Sequence, residues 1–204
     1  MHKLHRPDIE PSGLQAARKN RLQNWESGLE KASIRQALLE MQDSRCAYCE
    51  KSLKDSEQHI EHFRKQSEYP KLVFVWSNLF LSCNNHDTCG KYKDRISINM
   101  DEVIDPCIDD PEYYLEFDLN GRIFPKSSLT LQERNKAEKT IEAFNLNELH
   151  LKRNRKDFLK SCQWIKETQK FADNEGLRFF LSSLSIDSYI TCLYHYLGLR
   201  VNQE

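Results

Sequence analysis

The sequence predicts an α+β chain, mostly helical overall, in which a small zinc-knuckled module is packed with N- and C-terminal helices. Three observations carry this prediction. Apolar residues recur every three to four positions over 12–43 and again beyond about 130, the mark of amphipathic helices. Tyr114-Leu115-Glu116-Phe117-Asp118 alternates, and Asn120-Gly121 before Arg122-Ile123-Phe124 signals a tight hairpin. Residues 45–95 lie between and are rich in Cys, His and Asn. The expected segments are helical 1–44, the module 45–100, an acidic loop and hairpin 101–126, and helical 127–204.

In chain order, Ser12 is the expected N-cap of a helix over 12–43, which Gly28 can divide in two. Leu72-Val73-Phe74-Val75-Trp76 reads as a strand or a buried extended segment. Thr130-Leu131-Gln132-Glu133 is a capping-box pattern opening a helix to about Phe144. Asn147 or a neighbour opens the next, which runs to about Asn174 with Leu149, Phe158, Leu159, Cys162, Ile165 and Phe171 in one stripe. Gly176 is expected to end it, and 177–198 hold one or two further helices.

Composition narrows the function classes. Thirty Lys+Arg against 31 Asp+Glu give the 204 residues a net charge of −1, and no run approaches the ~18 apolar residues of a membrane span. Met1-His2-Lys3-Leu4-His5-Arg6-Pro7 lacks an apolar core segment and is not read as a secretory signal. The expected compartment is therefore the reducing cytoplasm, where seven cysteines argue for metal binding or core packing before disulfides. Charge is unevenly spread: 101–118 hold eight acidic and no basic residues, whereas 122–160 hold ten basic and five acidic ones. The second block is either a solvated helix face or a polyanion contact.

Cys46-Ala47-Tyr48-Cys49 is a C-x-x-C knuckle, with Cys83 and Cys89 as a second pair. Zinc takes four soft ligands in a tetrahedron, and a short turn lets two thiolates grip one ion from one side. Five residues separate the second pair, so either that loop bulges or His86 replaces one cysteine. The alternatives are a redox pair, for which no β-α-β pattern is present, or buried free thiols. Cys107, Cys162 and Cys192 read as small core residues.

Between the pairs lie His59-Ile60-Glu61-His62-Phe63-Arg64 and Trp76-Ser77-Asn78-Leu79. A neutral imidazole can take a proton from water near neutral pH. A carboxylate can hold a hard divalent ion, and an asparagine donates and accepts at once, fixing a loop. The plainer readings are a hydrogen-bonded structural His62, a surface Glu61 and a turn-forming Asn78. His59 reads as structural or peripheral, and Tyr48, Phe63, Trp76 and Phe80 as core.

At these residues the chain resembles the HNH, or ββα-metal, endonucleases: Cys46/Cys49, Glu61-His62, Asn78-Leu79, Cys83/Cys89 and Lys93 follow that layout. The longer strings Ile60-Glu61-His62-Phe63-Arg64, Tyr69-Pro70, Trp76 to Cys83 and Cys89-Gly90-Lys91-Tyr92-Lys93-Asp94 are similar to the HNH subunit (PtuB type) of Septu anti-phage systems, also found with some retrons. The nuclease resemblance covers about 45–95; the Septu-like one extends to Asp105-Pro106, Asn120-Gly121 and Phe144-Asn145-Leu146-Asn147.

The resemblance implies a ββα-metal HNH module with His62 as general base, Glu61 as metal-binding acid, Asn78 orienting the histidine's loop and the four cysteines holding structural zinc. It implies Mg²⁺ or Mn²⁺ as the catalytic ion and hydrolysis of nucleic-acid phosphodiester bonds, with DNA or tRNA as target. Arg64, Lys91, Lys93 and Arg95 are the expected phosphate contacts. The family places His or Asn directly after the last knuckle cysteine; here stands Gly90, so His86, Asn85 or Asp94 is expected to substitute, His86 first and Asp94 next. The implied partner is an ABC-type ATPase (PtuA type), with 12–43 and 130–198 as docking surfaces and room for a homo-oligomer within the complex. The competing reading is an inactive zinc-knuckle adaptor that binds nucleic acid or the ATPase, which Gly90 favours; a redox protein is a third.

Overall fold

The computed structural model describes residues 1–22, 24, 25, 28–53, 57–168, 171 and 173–201. It is α+β, as expected: helices α1 (Ser12–Lys19) and α2 (Lys31–Met41) precede an antiparallel pair, β1 (Gln58–His62) and β2 (Leu79–Cys83). Short helices α3 (Cys89–Lys93) and α4 (Pro111–Tyr114) follow, then a hairpin of β3 (Leu115–Phe117) and β4 (Ile123–Pro125). Helices α5 (Leu131–Ala143), α6 (Leu149–Thr168), α7 (Asn174–Ser182) and α8 (Ile190–Tyr196) complete the described chain. No described helix is long and apolar enough to cross a membrane.

β2 is buried along its whole length, with α2 and α3 against it, so it reads as a near-continuous apolar run rather than an alternating one. Its register with β1 pairs Gln58 with Cys83 and His62 with Leu79. Around it Tyr48, Phe63, Phe80 and Phe144 form an aromatic centre in which Tyr48 stacks on Phe144 at 3.8 Å between centroids. This main core draws residues from Met1 to Cys192; a smaller one, Ile165, Leu181, Leu193 and Leu199, sits among α6, α7 and α8.

The capping box forms, with Thr130 and Glu133 side chains exchanging bonds with each other's backbone N–H, and α5 ends one residue before Phe144. Three other expectations are corrected. The helix over 12–43 is two helices: α1 stops at Lys19, Arg21 and Gly28 both take positive φ, and residues 23, 26 and 27 lie outside the described residues. Ser12 is the first helical residue and not a cap; Pro11 holds that place, while Glu30 caps α2 by accepting from the Ser33 N–H. Residues 72–76 are not a strand. Pro70–Leu72 and Trp76–Asn78 are single 3-10 turns, and side chains take the carbonyls that a strand would pair: Asn78 that of Leu72, His62 that of Val73, Arg18 that of Phe74 and Arg6 that of Trp76. The strand begins only at Leu79.

The helix expected to reach Asn174 is described only to Thr168, with 169, 170 and 172 outside the described residues. Asp173 then caps α7 through the Gly176 N–H at 2.9 Å, so Gly176 lies in a first turn and does not end a helix.

Two buried polar groups tie distant segments together. Glu50 accepts from His2 Nδ1 at 2.6 Å, from the Thr191 N–H at 3.2 Å and from the Thr191 hydroxyl, joining the first residues to the knuckle and α8. Burial pushes its carboxyl up, but the neighbouring α-amino group, His2 and Thr191 outweigh that and hold it well below the usual range. Arg155, fully buried on α6, donates to the Gly121 carbonyl at 2.7 Å and the Leu146 carbonyl at 2.6 Å. Gly121 has φ +74°, and a Cβ there would meet the Lys152 carbonyl at 2.3 Å. Gly121→Ala should therefore destabilise by at least ~2 kcal/mol, since strain and overpacking add; urea unfolding checks this, and a loss below ~0.5 kcal/mol would contradict the close approach of Gly121 to α6.

Candidate active site and metal centres

Cys46 and Cys49 sit on a turn closed by the Arg45–Ser52 bridge, Cys83 ends β2, and Cys89 opens α3 with φ +58°. The four buried sulfurs lie within 4.8 Å of one another, and Cys49 Sγ is 4.0 Å from Cys83 Sγ. A tetrahedral zinc with ~2.3 Å bonds sets sulfurs ~3.8 Å apart, so this donor set fits zinc. The Cys83 N–H points at Cys46 Sγ at 3.4 Å, the outer-shell bond that steadies a thiolate. Hydrogen bonds from the other three sulfurs draw the Cys46 thiol down against its burial, while Cys49 and Cys89 are pushed up. Four sulfurs this close cannot all ionise without a cation among them.

The long second spacing is absorbed by a bulge. The Asn84 N–H bonds the Glu57 carbonyl, the Asn85 side chain accepts from the Asp87 N–H, and the Cys89 N–H reaches the Phe144 carbonyl at 2.8 Å. His86 lies exposed on that bulge and does not stand in for a cysteine. Cys192 is buried in the core, and Cys107 and Cys162 are half-buried.

Beside the knuckle is an open cleft of about 470 Å³ with Glu61 and His62 in its wall, joined by Trp25, His59, Gln66, Lys91 and Asp94. His62 closes β1. One ring nitrogen, Nε2, lies 3.0 Å from the Val73 carbonyl and must donate to it, so Nδ1 accepts from the Gln66 amide at 3.1 Å. Trp25 packs edge-on against the ring at 4.6 Å. Burial lowers the imidazole pKa, with the Val73 bond opposing, so the ring is neutral near pH 7 with its tautomer assigned by its partners.

Glu61 is buried with each oxygen committed differently: Oε1 is 2.8 Å from Lys93 Nζ, and Oε2 is 3.3 Å from His59 Nε2. Burial raises its pKa, but the His59 bond and the Lys93 charge prevail and lower it, leaving a carboxylate. Lys93 is fully buried, its ammonium 2.8 Å from Glu61 Oε1, from the His62 carbonyl and from Asp94 Oδ1. Its pKa rises, because Glu61 and Asp94 outweigh desolvation. Asn78 binds both backbone groups of Arg64, accepting from its N–H at 2.8 Å and donating to its carbonyl at 3.1 Å. That closes the chain just beyond His62.

Gly90 has a physical explanation: a Cβ there would meet Glu61 Oε2 at 2.3 Å. The side chain of Glu61 occupies the space that a residue after Cys89 would need. Asp94 reaches the cleft and His86 does not. Among the expected phosphate contacts Lys91 lines the cleft, whereas Lys93 is corrected to a buried ion-pair partner. Arg64 is bonded to Asp101 at 2.6 Å, and Arg95 to the His86 carbonyl at 2.5 Å. His59 reads from the sequence as structural or peripheral, yet strand alternation places it beside Glu61. Gln66 and Trp25 carried no comparable signal.

No protein-family model matches the chain. It is 29% identical over 161 residues, 75% of this chain and 76% of the relative, to a Vibrio cholerae protein named "Retron Vc95 putative HNH endonuclease". It is 31% identical over 133 residues to the Septu protein PtuB of Bacillus thuringiensis, and 28% identical over 166 residues to that of Bacillus mycoides. Those matches cover 63% and 67% of this chain but only 46% and 54% of the two Septu proteins, so the chain spans about half their length. The resemblance to HNH proteins of the PtuB type is borne out by these relatives.

Metal analysis of the purified protein should find one zinc per chain, lost in Cys83→Ser, and stripping it should lower the melting temperature by well over 10 °C, because the binding energy of such a site is folding energy. A zinc-free protein with an unchanged melt would contradict this. Gly90→Ala should destabilise the zinc-loaded protein by ~1–3 kcal/mol, and Glu61→Asp, one methylene shorter, should recover part of that loss in the double variant. Calorimetry reads both; additive losses would refute the steric coupling.

Proposed function

We propose that the chain is a metal-dependent HNH endonuclease, the nuclease subunit of an anti-phage complex with an ABC-type ATPase. The observation that carries this reading is one of placement. Consecutive residues Glu61 and His62 end a strand whose β1–β2–α3 unit is clamped by four cysteines, and both face one cleft. Names given to relatives support the class: one is named "Retron Vc95 putative HNH endonuclease" and two are named Septu protein PtuB.

In this reading neutral His62 takes a proton from the attacking water at Nδ1, for which Gln66 must give way. Lys93 holds Glu61 Oε1 and the His62 carbonyl, which fixes the base relative to the carboxylate. Glu61, with Asp94 at the rim, would hold Mg²⁺ or Mn²⁺, and the ion would supply neutralisation of the charge on the phosphate and leaving oxygen. The donors suit such an ion: Glu61 is an ionised carboxylate whose Oε2 is not taken by the lysine. Lys91 is placed to meet a phosphate of the substrate.

Arg64 and Arg95 are engaged elsewhere and the net charge is −1, so tight autonomous binding of nucleic acid is not expected. That favours delivery of DNA or tRNA by a partner, with the helices of 12–43 and 130–198 as its docking surfaces. The adaptor reading draws on the Lys93–Glu61 pair, which already neutralises the carboxylate.

With the ATPase present, the protein should cut plasmid DNA or tRNA in Mn²⁺ or Mg²⁺, and His62→Ala should lower the rate ~100- to 10,000-fold with zinc content and melt retained. Cleavage surviving in His62→Ala would refute the base assignment. Binding without cleavage under every metal condition would establish the adaptor.

A further inference from the structure

We propose that His59 is the nitrogen ligand of the divalent cation in the cleft, in the role that Gly90 has no side chain to fill. The proposal rests on the nuclease reading and specifies its metal site. β1 alternates, so His59 and Glu61 share one face of the strand, with Nε2 and Oε2 3.3 Å apart. Two ligands on adjacent corners of an octahedron with ~2.1 Å bonds stand ~3 Å apart. The pair is thus spaced to bind one ion with a small adjustment.

The division of labour within Glu61 favours the same site. Lys93 anchors Oε1, which leaves Oε2, on the His59 side, as the oxygen available to a cation. The helix side is closed to a further ligand at position 90, because even a methyl group there would collide with Oε2. His86 is on the exposed bulge, away from the cleft, with its carbonyl held by Arg95. His59 Nδ1 is buried without a hydrogen-bond partner, so Nε2 is the nitrogen through which this ring acts. When Nε2 gives its lone pair to a metal, the ring proton moves to Nδ1 and the bond to Glu61 is replaced by two bonds to the ion. One imidazole among carboxylate oxygens favours Mn²⁺ over Mg²⁺.

The test uses the zinc-loaded full chain titrated with Mn²⁺ and read by electron paramagnetic resonance. Wild type should bind one Mn²⁺ whose spin-echo modulation shows directly coordinated imidazole nitrogen. His59→Gln should weaken binding at least tenfold and remove that coupling, with zinc content and melt as controls for folding; His86→Gln should change neither. Bound Mn²⁺ without nitrogen coupling in wild type, or coupling that persists in His59→Gln, would overturn the role of His59 while leaving the metal-dependent reading intact. Absence of Mn²⁺ binding in wild type, or unaltered binding in Glu61→Gln, would overturn both.

Discussion

Four thiols confined within 4.8 Å of one another, all buried, form a donor set that could hold a metal ion such as zinc, and as thiolates they would need a cation among them. The consequences reach well past the knuckle. Cys83 ends β2 and Cys89 starts α3, so the clamp fixes both the strand and the helix that border the cleft. Cys46 and Cys49 bring the turn that carries Tyr48 onto Phe144, and with it the end of α5. An aromatic core and the cysteine knuckle thus share Tyr48, and one hydrophobic core runs from the knuckle into the helical region.

A second layer of constraint sits on the cleft side. A lysine with no exposure, held by three oxygens at 2.8 Å, is a strongly specified group: loss of the lysine leaves Glu61 buried without its cation, and loss of Glu61 leaves the buried lysine with Asp94 as its carboxylate partner. It locks the last two residues of β1, while Asn78 locks the two backbone groups that follow. Glu61 and His62 are therefore set by both sides of the chain, and the start of the long connection between β1 and β2 is pinned beside them.

The same reasoning accounts for the position after the last cysteine. A glycine there looks like a lost ligand when the motif is read alone. In the folded chain it is the complement of a longer acid: the glutamate fills the volume, and a side chain at 90 would collide with it.

Local and stereochemical features are legible in residue types a few positions apart: the Thr130–Glu133 cap, the Asn120-Gly121 hairpin, the cysteine pairs and the Glu61-His62 step. Long-range packing settles the remainder. Residues 72–76 have strand propensity, yet their carbonyls are claimed by Asn78, His62, Arg18 and Arg6 from elsewhere in the chain. Lys93 reads as a surface cation until Glu61 is seen beside it, and Trp25 meets the edge of His62 only through tertiary packing. Side chains that reach across dozens of residues leave no periodicity in the sequence, because which backbone group or charge they meet is fixed by packing and not by spacing.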